Sequence, residues 1–187
     1  MPKVVDHDSY RKELLNRCLA LFAERGYGSV TMRQIARELQ VSTGTLYHYF
    51  PSKEGIFIQL IQELCEKDID TFFAQAPASE SLRERLQAVT NFFLENYTFY
   101  QQQLLLWVEF YQQTSRTATK QPHILSAFWQ RTQKQLVSYL QLPTEKVDFL
   151  LLMMDGLLLQ CLYDRQDADQ AWMVGQLEQL VRSLENS

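Results

Sequence analysis

Residues 41–53 read VSTGTLYHYFPSK. The stretch has the length of a short helix, closed by Pro51 because a residue that precedes proline avoids the α region. Its outward positions are not those of an ordinary surface helix. Glu, Lys and Gln, the usual water-facing helix formers, are missing before Lys53. Ser42, Thr43, Gly44 and Thr45 come first, then Tyr47, His48 and Tyr49. Small residues let a helix tip approach another surface closely. Tyrosine carries a hydroxyl on a rigid ring and histidine a ring N–H, so both are donors without long flexible stems. Leu46 and Phe50 are left as the inward pair that holds such a helix down.

Working outward, the preceding segment SVTMRQIARELQVS begins with Thr31, a good N-cap, and carries Ile35, Ala36 and Leu39 as an apolar stripe. Before it, a first helix over about 8–25 places Leu15, Cys18, Leu19 and Phe22 on one face, and Gly26 suits a C-terminal stop. After the stretch, Ser52 caps a fourth helix that runs to about Gln75, with Phe57, Leu60, Ile61, Leu64 and Ile69 facing inward. A helix, a tight turn and a short second helix, steadied by a first, is the helix-turn-helix plan. Its second helix enters the DNA major groove tip first. Lys53 and the free N–H groups at the start of the fourth helix form a phosphate seat.

Charge distribution agrees with this. The 187-residue chain has a net charge of −4. Residues 1–55 hold eight basic against six acidic side chains, so this part is mildly basic and the remainder acidic. With 46% apolar residues, six Gly and five Pro, the composition favours a helical protein with a real core. The start MPKVVDHDSYRKELL lacks an apolar secretory region. The run 149–162 is too short to span a bilayer. Cys18, Cys65 and Cys161 lie far apart with no metal-ligand spacing. A cytoplasmic protein with no membrane partner, no cofactor and no metal is expected.

The residues LFAERGYGSVTMRQIARELQVSTGTLYHYFPSKEGIF (21–57) resemble the DNA-binding domain of the TetR family of bacterial transcriptional regulators. Gln40 stands where that pattern has Gly, and Ile56-Phe57 where one apolar residue is usual. The resemblance implies an all-α fold of about nine helices. A three-helix helix-turn-helix domain (1–53) is followed by a helical ligand-binding and dimerisation domain (54–187). It also implies a homodimer on a partly palindromic double-stranded operator, acting as a repressor that a small-molecule effector releases. Position by position, Arg33 is similar to a residue that reaches a base edge. Thr43, Gly44 and Thr45 match the base- and backbone-facing tip, and Tyr47, Tyr49 and Lys53 match phosphate contacts. His48 stands beside them as a donor, and Thr31 caps the second helix or touches phosphate, with the cap favoured.

Beyond the joint APASES (76–81), further helices are expected over about 80–98, 102–115, 122–140, 144–164 and 168–185. The helix 144–164 is apolar nearly all round, and a helix of that kind is buried on more than one side. With Val174, Leu177, Val181 and Leu184 on the last helix, it is expected to pair across a two-fold axis. Leu151, Leu158, Leu162, Leu177 and Val181 are the candidate dimer contacts. Phe93, Tyr97, Trp107, Phe110, Tyr111, Trp129 and Met153 are the candidate lining of a lipophilic ligand site, although aromatic stripes of this kind also build cores. Glu109 and Asp155 stand inside apolar runs, and for Glu109 a structural role is favoured. Two other function classes stand beside this one. A thiol-based redox sensor would use Cys65, the cysteine with Lys67 close by. An all-helical enzyme finds no support, because His7, His48 and His123 are scattered and no catalytic motif appears.

Overall fold

The computed structural model describes residues 6–114, 122–163 and 170–185, and the described residues are all-α. The helices are α1 (His7–Arg25), α2 (Met32–Glu38), α3 (Thr43–Tyr49), α4 (Lys53–Gln75), α5 (Leu82–Glu95), α6 (Tyr97–Thr114), α7 (Pro122–Leu140), α8 (Thr144–Tyr163) and α9 (Gln170–Glu185).

Local chemistry sets most of the ends. Asp6 caps α1, its carboxylate accepting from the N–H groups of Asp8 and Ser9. Thr31 and Gln34 form a reciprocal capping box on α2, which assigns Thr31 to the cap. Ser42 caps α3 by accepting from Thr45 N–H at 2.9 Å. Gln40 ends α2 with φ 58. The N–H of Gln40 bonds to Arg37 O and that of Val41 to Ala36 O, the pair of bonds that defines a Schellman motif. The position where the TetR pattern has Gly is therefore left-handed, and here a glutamine occupies it.

Helices five and six differ from the sequence expectation. The chain breaks at Asn96, not at the glutamines 101–103. Asn96 N–H and side-chain amide both reach Phe92 O, and Asn96 O then accepts from Tyr100 N–H. One asparagine thus closes α5 and opens α6. Glutamine is a good helix former, and YQQQ lies inside α6. The expected helical residues 115, 164, 168 and 169 fall outside the described residues.

Two compact units result. The first comprises Met1–Lys67 with Leu105–Gln121, the second Asp68–Leu104 with Pro122–Ser187. This division does not fall at the expected boundary, residue 53. Ile56, Phe57, Leu60 and Ile61 of α4 are fully buried in the first unit's core with Leu14, Cys18, Phe22, Ile35, Leu46 and Phe50, so cutting at 53 would split one core. Each such side chain contributes about 1.5–3 kcal/mol by burial. Arg11 of α1 fastens the N-terminal helix to α4 through Gln59 Oε1 at 2.8 Å and Glu63 Oε1 at 2.9 Å. In the second unit, α5 packs on α9, and α8 packs on α7 and α9. Its core holds Phe72, Leu86, Phe93, Leu140, Val147, Leu150, Leu158, Met173, Leu177 and Val181. The buried Arg85 guanidinium donates to the carbonyls of Ser79 and Leu140.

Candidate nucleic-acid interface

Helix α3 divides cleanly between two environments. Leu46 and the following Phe50 are fully buried, while Thr43, Gly44, Tyr47 and His48 are exposed and Thr45 and Tyr49 half-buried. Tyr47, a large ring, is 53% exposed. Gly44 has ample room: a Cβ there would meet only Ser42 Oγ, at 3.6 Å. Nothing inside the chain requires a glycine at that point. Arg33 on α2 is exposed as well. The helix therefore presents a tip of small residues followed by ring donors, a surface suited to a groove walled by phosphates.

Lys53 is differently placed from a free phosphate ligand. Its Nζ donates to Tyr27 O and Val30 O, each at 2.9 Å, and lies 4.3 Å from the centroid of the Tyr27 ring. Burial pulls its ammonium below the ordinary lysine range, with the Glu109 carboxylate acting in the opposite direction. Lys53 thus braces the α1–α2 turn. Its third N–H is what remains for a phosphate.

The same turn is gripped from α6. Glu109 Oε2 accepts from Tyr27 N–H at 2.9 Å and Glu109 Oε1 from Gly28 N–H at 2.8 Å. Two glycines make room for it. A Cβ on Gly26, which has φ 78, would lie 3.0 Å from Glu109 Oε2, and a Cβ on Gly28 would collide with the Gln113 side chain. Below the carboxylate, Phe57 and Phe110 stack at 4.4 Å with Tyr27 edge-on to both. Burial, with Glu54 adding to it, pushes the Tyr27 phenol up to about 12. Glu109 is structural, as its setting in an apolar run suggested. Its partner turn was not legible, because the two segments are far apart in sequence.

The histidines are less scattered than their positions suggest. His7 and His48 have ring centroids 6.2 Å apart, and His7 Nδ1 lies 2.8 Å from the Tyr49 hydroxyl. His7 was missing from the sequence-based set. Only its helical phase relative to a helix some forty residues on could have indicated it.

The candidate ligand residues are divided between the two units. Trp107 and Phe110 belong to the first unit, packed on Phe57. Tyr111 is 71% exposed, and Met153 lies on the exposed face of α8. Phe93 is buried in the second unit's core and Tyr97 packs against that core, while Trp129 is half-buried. The aromatic concentration of the second unit lies elsewhere. Phe72 contacts Phe92 and Tyr139, and Phe93 stacks on Tyr100 at 5.7 Å. The Tyr100 hydroxyl bonds to Asp68 Oδ2 at 2.5 Å. Burial holds the Asp68 carboxyl above the usual carboxylate range, and the bond from Tyr100 opposes the shift.

The candidate dimer contacts differ in burial. Leu158, Leu177 and Val181 are buried within the chain's own core, so their stripe is already occupied. Leu151 and Leu162 are half-buried. The open apolar face of α8 is instead Phe149, Leu152, Met153, Leu159 and Tyr163, with Leu152 63% and Tyr163 81% exposed. These recur at three- and four-residue spacing, with Gly156 between them and nothing near its Cβ position.

Cys65, the candidate redox thiol, is half-buried. Cys18 is fully buried and its thiol is pushed up to about 12 by that burial, against a smaller opposite effect of Arg17. Burial also raises Cys161. No group of three or more metal-ligating side chains occurs among the described residues. No helix among them is long and apolar enough to cross a membrane.

Residues 14–60 match the family described as bacterial regulatory proteins, tetR family. Over 117 residues the chain is 33% identical to the HTH-type transcriptional regulator BetI of Rhizobium meliloti (strain 1021), covering 63% of this chain and 58% of that protein. Over 79 residues it is 38% identical to the HTH-type transcriptional repressor KstR of Rhodococcus jostii (strain RHA1), covering 42% and 36%. The matches to these two relatives thus span only about a third to just over half of their lengths. A transcriptional regulator from Saccharomonospora viridis, solved in complex with choline, shares the fold with a TM-score of 0.76 at 20% identity, over 94% of this chain and 97% of that one.

Proposed function

We propose that this chain, a transcriptional regulator of the bacterial tetR family by its residues 14–60, is a homodimeric repressor that a small lipophilic effector releases from operator DNA. The observation that carries the DNA reading is the division of α3. Leu46 and Phe50 are sealed in the core while Thr43, Gly44, Tyr47 and His48 face outward around a glycine that no internal contact requires. Thr43, Gly44 and Thr45 approach the base edges, Arg33 reaches a base from α2, and Tyr47 and Tyr49 bind phosphates. Lys53 holds the turn and offers its remaining N–H to a phosphate.

Two copies are needed to read two half-sites about 34 Å apart. The open face of α8 supplies the contact, because Phe149, Leu152, Met153, Leu159 and Tyr163 form an apolar stripe of the kind two-fold partners share. The repressor sense follows the relative named as a repressor. The effector reading rests on the second unit, where the half-buried Asp68 carboxyl accepts from the hydroxyl of Tyr100, whose ring stacks on Phe93. A carboxyl beside aromatic rings suits a quaternary ammonium, and choline, bound in the similar structure, is one.

Selection of duplexes from a random pool, followed by footprinting, tests the DNA reading. A partly palindromic site should emerge, and the chain bound there should lower transcription from an adjoining promoter. Failure to enrich any sequence overturns the reading, and raised transcription overturns the repressor sense. Choline added to the protein–DNA complex is the first effector probe. By reciprocity, an effector that weakens DNA binding must itself be bound less tightly by the complex, by the same factor.

A further inference from the structure

His7, the first residue of α1, lies beside the last turn of α3. Its Nδ1 is 2.8 Å from the Tyr49 hydroxyl, and the two rings are 6.0 Å apart. Tyr10 meets Tyr49 edge-on at 5.5 Å from the same helix, and His48 meets it at 5.1 Å from the other side. His7 and His48 are both exposed. The four rings form one patch at the end of the reading helix, and no core contact explains His7 in it.

We infer that His7 is a further residue of the duplex-binding surface, which directs the Tyr49 hydroxyl toward phosphate and couples DNA binding to proton uptake. The inference rests on the DNA-binding reading above and adds to it a residue and a pH response.

The chemistry lies in one hydrogen bond. A phenol has a single O–H. In the neutral tautomer with its proton on Nε2, Nδ1 of His7 accepts that proton, and Tyr49 then has none to offer a phosphate. When His7 is an imidazolium, both ring nitrogens are donors. Nδ1–H then donates to the Tyr49 oxygen, and the phenolic O–H is freed to donate to a phosphate oxygen. Protonation adds a positive charge at the same place. A polyanion favours the imidazolium over the neutral ring, so duplex binding takes up protons. The titratable groups around His7 are Asp6, Asp8 and Tyr10 of its own helix and His48 and Tyr49 of α3. Asp6 is engaged in capping Asp8 and Ser9 N–H.

The test uses the full chain and a duplex of about 30 base pairs recovered by selection with the wild-type protein, long enough for two half-sites one helical turn apart. Affinity is measured against salt at pH 8 and pH 6. Wild type should bind more tightly at pH 6. Its salt slope should steepen by about 0.9 for each imidazole protonated, which is roughly eightfold in affinity per charge at 0.1 M salt. His7→Gln keeps a hydrogen-bonding group that does not titrate. It should match wild type at pH 8 and lose the His7 share of the gain at pH 6, while His48→Gln leaves that share intact. His7→Ala leaves the Tyr49 O–H unclaimed, so at pH 8 it should bind at least as tightly as wild type, and that difference should vanish in a Tyr49→Phe background, which a merely structural role for His7 would not produce. Thermal melting confirms that each variant is folded. Wild-type affinity that ignores pH, or a His7→Gln variant that keeps the whole gain, overturns the inference while leaving the DNA-binding reading intact. A selection that recovers no duplex overturns that reading, and the inference falls with it.

Discussion

Glu109 accepts the backbone N–H of Gly28 at 2.8 Å across 81 residues of sequence. Its other oxygen takes the N–H of Tyr27, so one carboxylate satisfies two adjacent donors of the turn that leads into α2. Glu109→Ala should leave both donors without their partner and cost about 1–3 kcal/mol, the usual penalty for an unsatisfied, poorly hydrated group. Glu109→Gln retains one acceptor and should fall between. Chemical denaturation measures the loss. A Glu109→Ala protein as stable as wild type would show that water replaces the carboxylate without cost.

Gln40 occupies the left-handed C′ position of α2 with φ 58. A side chain there carries steric strain that glycine avoids. Gln40→Gly should stabilise the chain by a few tenths to about 1 kcal/mol, the strain relief being partly offset by the larger unfolded-state entropy of glycine. Gln40→Val, β-branched, should destabilise it. The melting temperatures of the two variants should therefore move in opposite directions.

Gly44 separates stability from binding. Its Cβ position is open in the free chain, and alanine is the better helix former by up to about 1 kcal/mol. Gly44→Ala should raise the melting temperature slightly while weakening duplex binding, because the added methyl meets the groove rather than the protein. Equal binding by wild type and variant would remove Gly44 from the interface.

The open face of α8 makes assembly separable from folding. Leu152→Glu places a charge on a side chain already 63% exposed and should yield a folded monomer by sedimentation. Leu158→Glu, at a position only 4% exposed, should unfold the second unit. A Leu152→Glu protein that remains dimeric would place the interface elsewhere.

Asp68 links acidity to stability. Its folded-state pKa is raised by burial, so the charged form is the disfavoured one. As pH rises from below the ordinary carboxylate value through the raised one, the folded chain loses stability, and above that window the penalty is complete. Asp68→Asn should therefore stabilise the chain at pH 7, with the gain disappearing below the unfolded carboxylate range. The same variant should lose any response to a cationic effector. Calorimetry at pH 7 and pH 3 reads the first effect, and titration with choline reads the second.

The reading unit was largely legible because its signals are local. Caps, the proline stop and the alternation of Leu46 and Phe50 with exposed residues all lie within a few positions of one another. Gln40 stood out in the sequence only as a departure from the family's Gly; its left-handed backbone is seen in the structure alone. The parts that sequence could not resolve depend on tertiary partners. Leu158, Leu177 and Val181 had the correct periodicity for burial, but periodicity does not say whether the covering surface belongs to the same chain. Trp107 and Phe110 looked like pocket walls because composition gives no hint that Phe57 is waiting for them. The bond between His7 and Tyr49 has no sequence signature at all.

The first unit is discontinuous in sequence: its α6 segment begins at Leu105. The reading head is therefore not a cassette that ends at the joint 76–81. A graft of residues 1–75 onto another regulator's body would bring Phe57 and Tyr27 without Phe110, and the two amides of Tyr27 and Gly28 without Glu109. A working chimera must carry 105–114 along with the head, or recruit a host helix that offers a carboxylate and a ring at the same height. Transfer of the first unit between proteins is thus constrained by a helix that lies some eighty residues further along the chain than the turn it holds.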